Sequence, residues 1–489
     1  MPARKPLRIC LAASEMTPLA KTGGLADVTA ALTAYLDARG HDVRMLMPFY
    51  ASIEEGALEI EVVPELQDMA MELDGRTVHF WIVRARLDAA GPAFYLLQCP
   101  ELFSGPDLYG GDDEHIRFVL LTRAAIEMCQ RLQFRPDLFH IHDWHTALLP
   151  VFLKTVYAWD DLFRATRCVL TIHNIGYQGV FGNDVLGPIG LEYSTDFLDQ
   201  DDLYHGRVNF LKTGVTHADL LTTVSPTYAR EILGPEYGMG LEHALRARDG
   251  RLVGILNGVD YDEWNPERDP LIPFTYSATN LAGKEKNKRA VMEELGLEYV
   301  FDRPLFGMVS RLTYQKGIEL VEQAIPGLMR EHDFSLLVLG SGEPAYEQFF
   351  NWLQNEFPGR VGFYRGFNNP LAHRIEAGSD VFVMPSRYEP CGLNQMYSLK
   401  YGTVPLVRAT GGLADSVQHF DPKSGYGTGI VFHDFDANGL AWGMTTALKL
   451  YANKHAWKQI VFNGMQKDYS WAEQGRLYEE RFRKIVSER

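Results

Sequence analysis

The sequence predicts an α/β protein built from two parallel-sheet domains. Three observations carry this. Short apolar runs alternate with segments whose apolar residues recur at helical spacing, the signature of strand–helix–strand units. The alternation occurs twice, once before residue 258 and again from 303 to 470, with a proline-marked stretch between. The chain has 489 residues, more than one hydrophobic core usually organises.

In order, Leu7–Ala13 is strand-like, Leu25–Arg39 has helical spacing that stops at Gly40, and Asp42–Met47 is a second strand. Residues 59–63, 77–83 and 93–97 are short apolar runs with no room for helices between them and predict an antiparallel excursion. A helix is expected over 115–132, followed by strands at 137–142, 167–173 and 219–224. Residues 261–276, with Pro266, Pro270 and Pro273, read as a connector. The second half gives strands at 305–310, 334–339, 361–364, 380–384 and 404–407, and helices at 317–331, 370–378, 392–401 and 438–463. The expected domains are 1–258 and 259–470, both Rossmann-like and facing a deep cleft. A last amphipathic helix, 471–489, is expected to pack back on the first domain. Ligands of open parallel sheets bind beyond the carboxyl ends of the strands, so chemistry is sought there.

Composition narrows the class. With 47 basic and 63 acidic residues the net charge is −16, which argues against nucleic-acid or membrane-surface binding. An anionic ligand then needs a locally basic pocket. Five cysteines (Cys10, Cys99, Cys129, Cys168, Cys391) at wide spacing, with no CxxC, fit neither a disulfide framework nor a zinc ribbon and suit a reducing compartment. Arg4 and Lys5 before an apolar run mimic a secretion signal, but Arg8 interrupts the run, and a cytoplasmic location is expected. No apolar stretch approaches the length of a membrane span.

One hexapeptide occurs twice, Thr22-Gly23-Gly24-Leu25-Ala26-Asp27 and Thr410-Gly411-Gly412-Leu413-Ala414-Asp415, near Lys21 and Arg408 respectively. A Gly-Gly turn opening a helix lets backbone N–H groups approach an anion, although glycine is also an ordinary turn residue. His140-Ile141-His142-Asp143-Trp144-His145 closes one strand. As a metal site it lacks a second cluster, and a polar lining role is the stronger reading. His173-Asn174 ends the neighbouring strand, where His173 should lie beside Asp143. In the second domain Arg311 and Lys316 flank a helix start, an arrangement suited to a diphosphate. Pro385 to Gln395 forms a rigid turn that projects Glu389, a carboxylate suited to sugar hydroxyls or developing positive charge. Cys391 reads as a packed, pocket-lining thiol, and Asp434-Phe435-Asp436 as a solvated turn despite its metal-binding look. Gly340-Ser341-Gly342 lacks the third glycine and the acid of a nicotinamide-cofactor fingerprint.

Taken together, Ser14-Glu15-Met16, Lys21 to Val28, His142-Asp143-Trp144-His145, His173-Asn174, Asn257-Gly258-Val259-Asp260, Ser310-Arg311 with Lys316-Gly317, and Glu389-Pro390-Cys391-Gly392-Leu393 resemble the bacterial glycogen synthases and plant starch synthases, in order and over nearly the whole chain. The resemblance implies the glycosyltransferase B fold with the active site between its domains. It implies transfer of glucose from ADP-glucose to the non-reducing 4-hydroxyl of an α-1,4-glucan, with retention and with no metal or cofactor. By the same resemblance Lys21 and Gly24 lie near the donor phosphates, and Asp143 and His173 hold the glucose, with His145, Asn174 and Asn257 nearby. Arg311 and Lys316 bind the diphosphate, Glu389 meets the sugar, the backbone of Gly392, Leu393 and Asn394 reaches the distal phosphate, and Cys391 lines the pocket. Phe367 stacks on adenine, and Tyr109 lies near the donor. Asn394 departs from the family's common Thr, which weakens only that side-chain assignment. Competing readings are a transferase of the same fold that uses UDP-glucose, a glucan phosphorylase, and a catalytically silent glucan-binding protein.

Overall fold

The structure is a computed structural model and describes residues 5–88 and 91–488. Arg4 of the basic leader and Arg489 of the expected last helix lie outside the described residues. The chain divides into two compact units, one of residues 1–224, 229–258 and 471–489, the other of residues 225–228 and 259–470.

The first unit carries β1 (Arg8–Ala12), β2 (Asp42–Pro48), β3 (Glu59–Val62), β4 (Met69–Leu73), β5 (Arg76–Arg86), β6 (Phe94–Gln98), β7 (Leu138–His142) and β8 (Arg167–Ile172). A short antiparallel pair, β9 (Val180–Gly182) and β10 (Arg207–Asn209), stands apart, and β11 (Leu220–Thr223) and β12 (Leu252–Gly254) complete the unit. The main sheet runs β12-β11-β8-β7-β1-β2-β6-β5-β3, with β4 also on β5. Every pairing from β12 to β6 is parallel, and those of β5 with β6, β3 and β4 are antiparallel.

This corrects one expectation. Phe94–Gln98 is not only part of the antiparallel excursion: it is the third parallel strand, paired to β2 through Leu46↔Tyr95. The excursion β3–β5 occupies the chain position that a crossover helix normally fills between parallel strands. Counted by parallel strands alone, the order is third-second-first-fourth-fifth-sixth-seventh, the doubly wound arrangement extended by one strand.

The second unit is the cleaner case. Its strands β13 (Leu305–Val309), β14 (Ser335–Gly340), β15 (Val361–Arg365), β16 (Val381–Met384), β17 (Val404–Arg408) and β18 (Ile430–Phe432) form one fully parallel sheet in the order β15-β14-β13-β16-β17-β18. Apart from the edge strand β15, exposed at Tyr364 and Arg365, these strands are buried on both faces and read as continuous apolar runs rather than alternations. The segment 438–463 is two helices, Ala437–Ala452 and Lys454–Met465. They break at Asn453, whose side chain accepts from Ala456 N at 3.2 Å and so caps the second. Helices Ala282–Glu294 and Pro344–Glu356 were not foreseen.

The helix Trp471–Ser487 belongs to the first unit, where Trp471, Tyr478, Phe482 and Ile485 share one core with Leu7, Ile9, Val28, Leu32 and Leu36. Each such side chain contributes about 1.5–3 kcal/mol on burial, so these last turns stabilise the unit rather than decorate it.

Candidate active site

Both sheets reverse their winding between the first and fourth parallel strands, where crevices form at the carboxyl ends. In the first unit those ends release the loop after β1, which carries Lys21, and the turn after β7, which begins at Asp143. In the second they release the loop after β13, with Arg311 and Lys316, and the loop after β16, with Glu389.

The loop after β1 is organised by Glu15. This buried carboxylate accepts from Thr22 N at 2.6 Å, Thr22 Oγ1 at 2.7 Å, Gly23 N at 3.4 Å, and the Tyr109 hydroxyl. Tyr109 also bonds Ser14 Oγ at 2.8 Å. Desolvation, then the Glu15 charge, pushes the Tyr109 phenol well up, so it stays protonated and can donate. Lys21 is half exposed and pairs with Asp27 at 2.7 Å. Gly24 opens the helix Gly24–Ala38. Sequence reading included Glu15 in a motif but gave it no role, although the acid three residues past β1 was the available signal.

Asp143 sits in left-handed backbone at φ 51°, a conformation costing a non-glycine residue on the order of 1 kcal/mol or more. Its Oδ1 accepts from His173 N at 2.7 Å, and the Asn174 N–H also donates to its carboxylate. Burial raises its pKa to about 7 against the pull of those two donors, with the Glu15 charge adding a smaller push upward. Asp143 and His173 are therefore brought together through the backbone of His173. The imidazole of His173 turns instead to His142, with Nε2 2.9 Å from His142 Nδ1. His140, His145 and His173 are each lowered to about 3, chiefly by burial, and are neutral at physiological pH.

The other residues expected in this half divide. The His145 ring is built into an aromatic cluster with Trp144, Phe118 and Tyr109, at centroid distances of 4.3, 4.5 and 4.9 Å. Asn174 Oδ1 accepts from Gly176 N at 3.0 Å and shapes its own turn. Asn257 is buried, and its Oδ1 has no partner among the described residues.

In the second unit Lys316 Nζ meets Glu389 Oε2 at 2.7 Å, and Ser386 Oγ donates to the same oxygen at 2.9 Å. Three glycines make this possible. Gly317, at φ 69°, follows Lys316, and a Cβ there would lie 2.1 Å from Pro385 O. Gly411, at φ 43°, and Gly412 press on the Glu389 loop, where Cβ atoms would fall 1.9 Å from Glu389 O and 2.1 Å from Cys391 O. Gly412 N also bonds Glu389 O at 3.1 Å. The second Thr-Gly-Gly-Leu-Ala-Asp is thus a brace for the Glu389 loop, and its Asp415 accepts from Thr227 N and Oγ1, each at 2.7 Å.

Arg311 is exposed and makes no ion pair with a described residue. Phe367 is 87% exposed. Cys391 is buried, Gly392 takes φ 69°, and Leu393 precedes the helix Asn394–Tyr401. The Asn394 side chain, which the resemblance places near the distal phosphate, gives an N–H to Val309 O at 2.8 Å and so helps fix the helix to β13. Asp436 of the DxD sequence caps a helix, accepting from Gly439 N at 2.7 Å, and is not merely solvated.

Among the described residues the one grouping of metal-ligand type is Asp199, Asp201 and Asp202. Lys212, 2.9 Å from both Asp199 and Asp202, and Arg207 already serve its inner members. A cavity of about 370 Å³ bordered by Arg167, Asp219, Arg251 and Glu488 opens at the opposite, amino-terminal ends of β8, β11 and β12. Two of its arginines are paired with carboxylates, Arg167 with Asp219 and Arg251 with Glu488.

Each doubly wound sheet carries a cation and a carboxylate on its switch-point loops, an arrangement that fits the class of nucleotide-sugar glycosyltransferases, and comparison agrees. Residues 8–247 match the starch synthase catalytic domain and residues 298–462 match glycosyl transferases group 1. A glycogen synthase 1 of Geobacter sulfurreducens is 45% identical, covering 99% of this chain and 97% of its own. A glycogen synthase of Streptococcus sanguinis is 39% identical over 98% of this chain and all of its own. The chain belongs to the glycogen and starch synthase family. The catalytic domain of starch synthase IV from Arabidopsis thaliana, solved bound to ADP and acarbose, superposes with a TM-score of 0.91 at 33% identity, covering 99% of this chain and 100% of that one. A sucrose-phosphate synthase from Thermosynechococcus elongatus, at 18% identity and a TM-score of 0.59, shares the fold. The two α/β units are those of the glycosyltransferase B class.

Proposed function

We propose that this protein is a glycogen synthase that transfers glucose from ADP-glucose to the non-reducing 4-hydroxyl of an α-1,4-glucan with retention. The observation that carries this is the Lys316–Glu389 pair, held at 2.7 Å by a glycine-braced loop, in a chain whose relatives are glycogen synthases. Arg311 and Lys316 receive the diphosphate, aided by the helix that starts at Ile318. Lys21 and Gly24 approach the donor phosphates, from a loop that Glu15 holds in shape. Glu389, Asp143 and His173 surround the glucosyl unit, Phe367 stacks on the adenine, and the backbone from Gly392 to Asn394 reaches the distal phosphate. In this reading the unit containing residues 5–224 faces the acceptor and residues 259–470 bind the nucleotide sugar.

No metal is required in this scheme. Departure of the diphosphate leaves positive character on the reacting carbon, which the Asp143 and Glu389 carboxylates stabilise. The acceptor 4-hydroxyl attacks the face the diphosphate leaves. The bond from carbon to phosphate oxygen breaks, the bond to the acceptor oxygen forms, and the hydroxyl proton passes to the departing phosphate. Lys21 and Arg311 come from different units, so turnover requires domain closure. A cytoplasmic location completes the proposal; no helix among the described residues is long and apolar enough to cross a membrane.

The test is a donor screen with glycogen as acceptor. ADP-glucose should support chain extension well above UDP-glucose; a preference for UDP-glucose would replace the donor assignment, and inertness with every donor alongside tight glycogen binding would replace catalysis with binding. A trapped glucosyl adduct on Asp143 or Glu389 would overturn same-face attack.

A further inference from the structure

His142 has no place in the scheme above, yet among the described residues it makes the one hydrogen bond to the His173 imidazole. The two rings come from adjacent parallel strands. His142 ends β7, and His173 follows directly after β8, with His142 in register with Thr171. Nδ1 of His142 and Nε2 of His173 are 2.9 Å apart. Both rings are neutral, because burial drives both pKa values down. One of the two nitrogens therefore carries the proton, and the ring that donates is decided by what happens at the two far nitrogens.

Those far nitrogens, His142 Nε2 and His173 Nδ1, are both buried and have no partner among the described residues. If His173 donates, His142 must hold its proton on Nε2. If His142 donates, His173 must hold its proton on Nδ1. Either arrangement leaves one N–H without a protein partner, and a permanently orphaned buried N–H is rare. The positions differ in access. His142 is 0% exposed, sealed by the strands and by the His140 ring 4.2 Å away, while His173 is 8% exposed and stands at the carboxyl end of its strand. Both far nitrogens are sealed as atoms, but only the His173 residue borders the surface, so an acceptor brought against it is the one a bound molecule can supply.

We infer that His142 is a positioning residue that donates from Nδ1 to His173 Nε2, locking His173 as the Nδ1–H tautomer and so presenting a hydrogen-bond donor to an oxygen of the bound substrate. The inference rests on the proposed function for the identity of that oxygen, a hydroxyl of the transferred sugar. The tautomer itself does not depend on it. A donor fixed at this point selects substrates offering an acceptor there, and a sugar lacking that hydroxyl leaves the N–H unpaired.

The experiment is nitrogen NMR of the full-length protein labelled at histidine, with His173 assigned by its absence in His173→Ala. Wild type should show His173 protonated at Nδ1 and unprotonated at Nε2. His142→Asn, whose amide can donate from nearly the same place, should keep that pattern. His142→Phe removes the donor and should shift His173 toward Nε2–H. Turnover should follow the tautomer, falling about tenfold to a hundredfold in His142→Phe and recovering in His142→Asn, by the precedent of outer-shell partners that orient histidine. Wild-type His173 protonated at Nε2 would overturn the inference whatever the activity, and so would an unchanged Nδ1–H signal in a folded His142→Phe. If that variant fails to fold, the wild-type and His142→Asn spectra still decide. A wild-type protein with the expected tautomer but no glucosyl transfer would refute the proposed function and leave this inference standing.

Discussion

Replacing Lys316 with alanine separates the chemical from the structural work of one ion pair. In the folded protein Lys316 Nζ lies 2.7 Å from Glu389 Oε2, with side chains 19% and 6% exposed. Removing the ammonium strands a carboxylate that retains only Ser386 among its side-chain donors. Breaking a fully buried pair from one side costs about 3–5 kcal/mol. Partial solvent contact and the surviving Ser386 bond reduce this to about 2 kcal/mol. Catalytically, loss of one preorganised charge on a leaving group corresponds to about 100-fold to 1,000-fold in turnover. The two effects part in the double variant. Adding Glu389→Gln removes the stranded charge, so Lys316→Ala/Glu389→Gln should be more stable than Lys316→Ala while remaining as inactive or more so. Glu389→Gln alone should cost less stability than Lys316→Ala, because the lysine left behind reaches water and the glutamate does not. Urea unfolding of the second unit, followed beside initial rates of ADP release, measures both. Turnover within threefold of wild type in Lys316→Ala, or no stability regained in the double variant, would refute the reasoning.

Other perturbations follow from the same geometry. Glu15→Gln weakens the acceptor for Thr22 N and Oγ1; the expected result is a several-fold rise in KM for the nucleotide sugar, about 1 kcal/mol, with the Tm little changed. Gly412→Ala places a methyl 2.1 Å from Cys391 O and should displace the Glu389 loop, lowering both Tm and turnover, whereas Gly23→Ala, with open space around its Cβ position and extended backbone, should be tolerated. Acid should destabilise the first unit. His140, His145 and His173 have folded pKa values of about 3, below the ordinary 6.5, so as pH falls from 6.5 towards 3 the unfolded chain takes up protons that the folded chain refuses. Asp143, raised from 3.8 to about 7, works in the opposite sense as pH falls over its range, but one carboxyl is outweighed by three imidazoles. A Tm for this unit that stays level between pH 6.5 and 4 would count against neutral, sealed histidines.

The strongly apolar strands and the loops beyond them were legible because buried parallel strands are continuous runs of valine, leucine and isoleucine. Shorter elements were not. Strands β12 and β18 have three residues each, too few for any period to show. The helix Ala282–Glu294 spells AGKEKNKRAVMEE, too polar for an apolar stripe, yet Lys288 within it is buried against Asp380 at 2.8 Å. The parallel pairing of β6 was invisible because pairing is non-local. At the site, residue types and loops could be read, but not which atoms meet. Nothing in the sequence said that Asn394 would turn to Val309, that His145 would pack among aromatic rings, or that His173 would face His142 rather than Asp143 with its ring.

The winding order of the two sheets has a consequence for how such an enzyme can change. In each sheet the loop after the first strand carries a lysine, Lys21 or Lys316, and the loop after the fourth carries an acid, Asp143 or Glu389. These charged groups thus occupy equivalent addresses in the two halves. An address of this kind is inherited with the topology, while its occupant is inherited with a few loop residues. New donors or acceptors are therefore within reach of short loop exchanges that leave both cores untouched, and a graft between the two halves has a natural register: first strand to first strand, fourth to fourth.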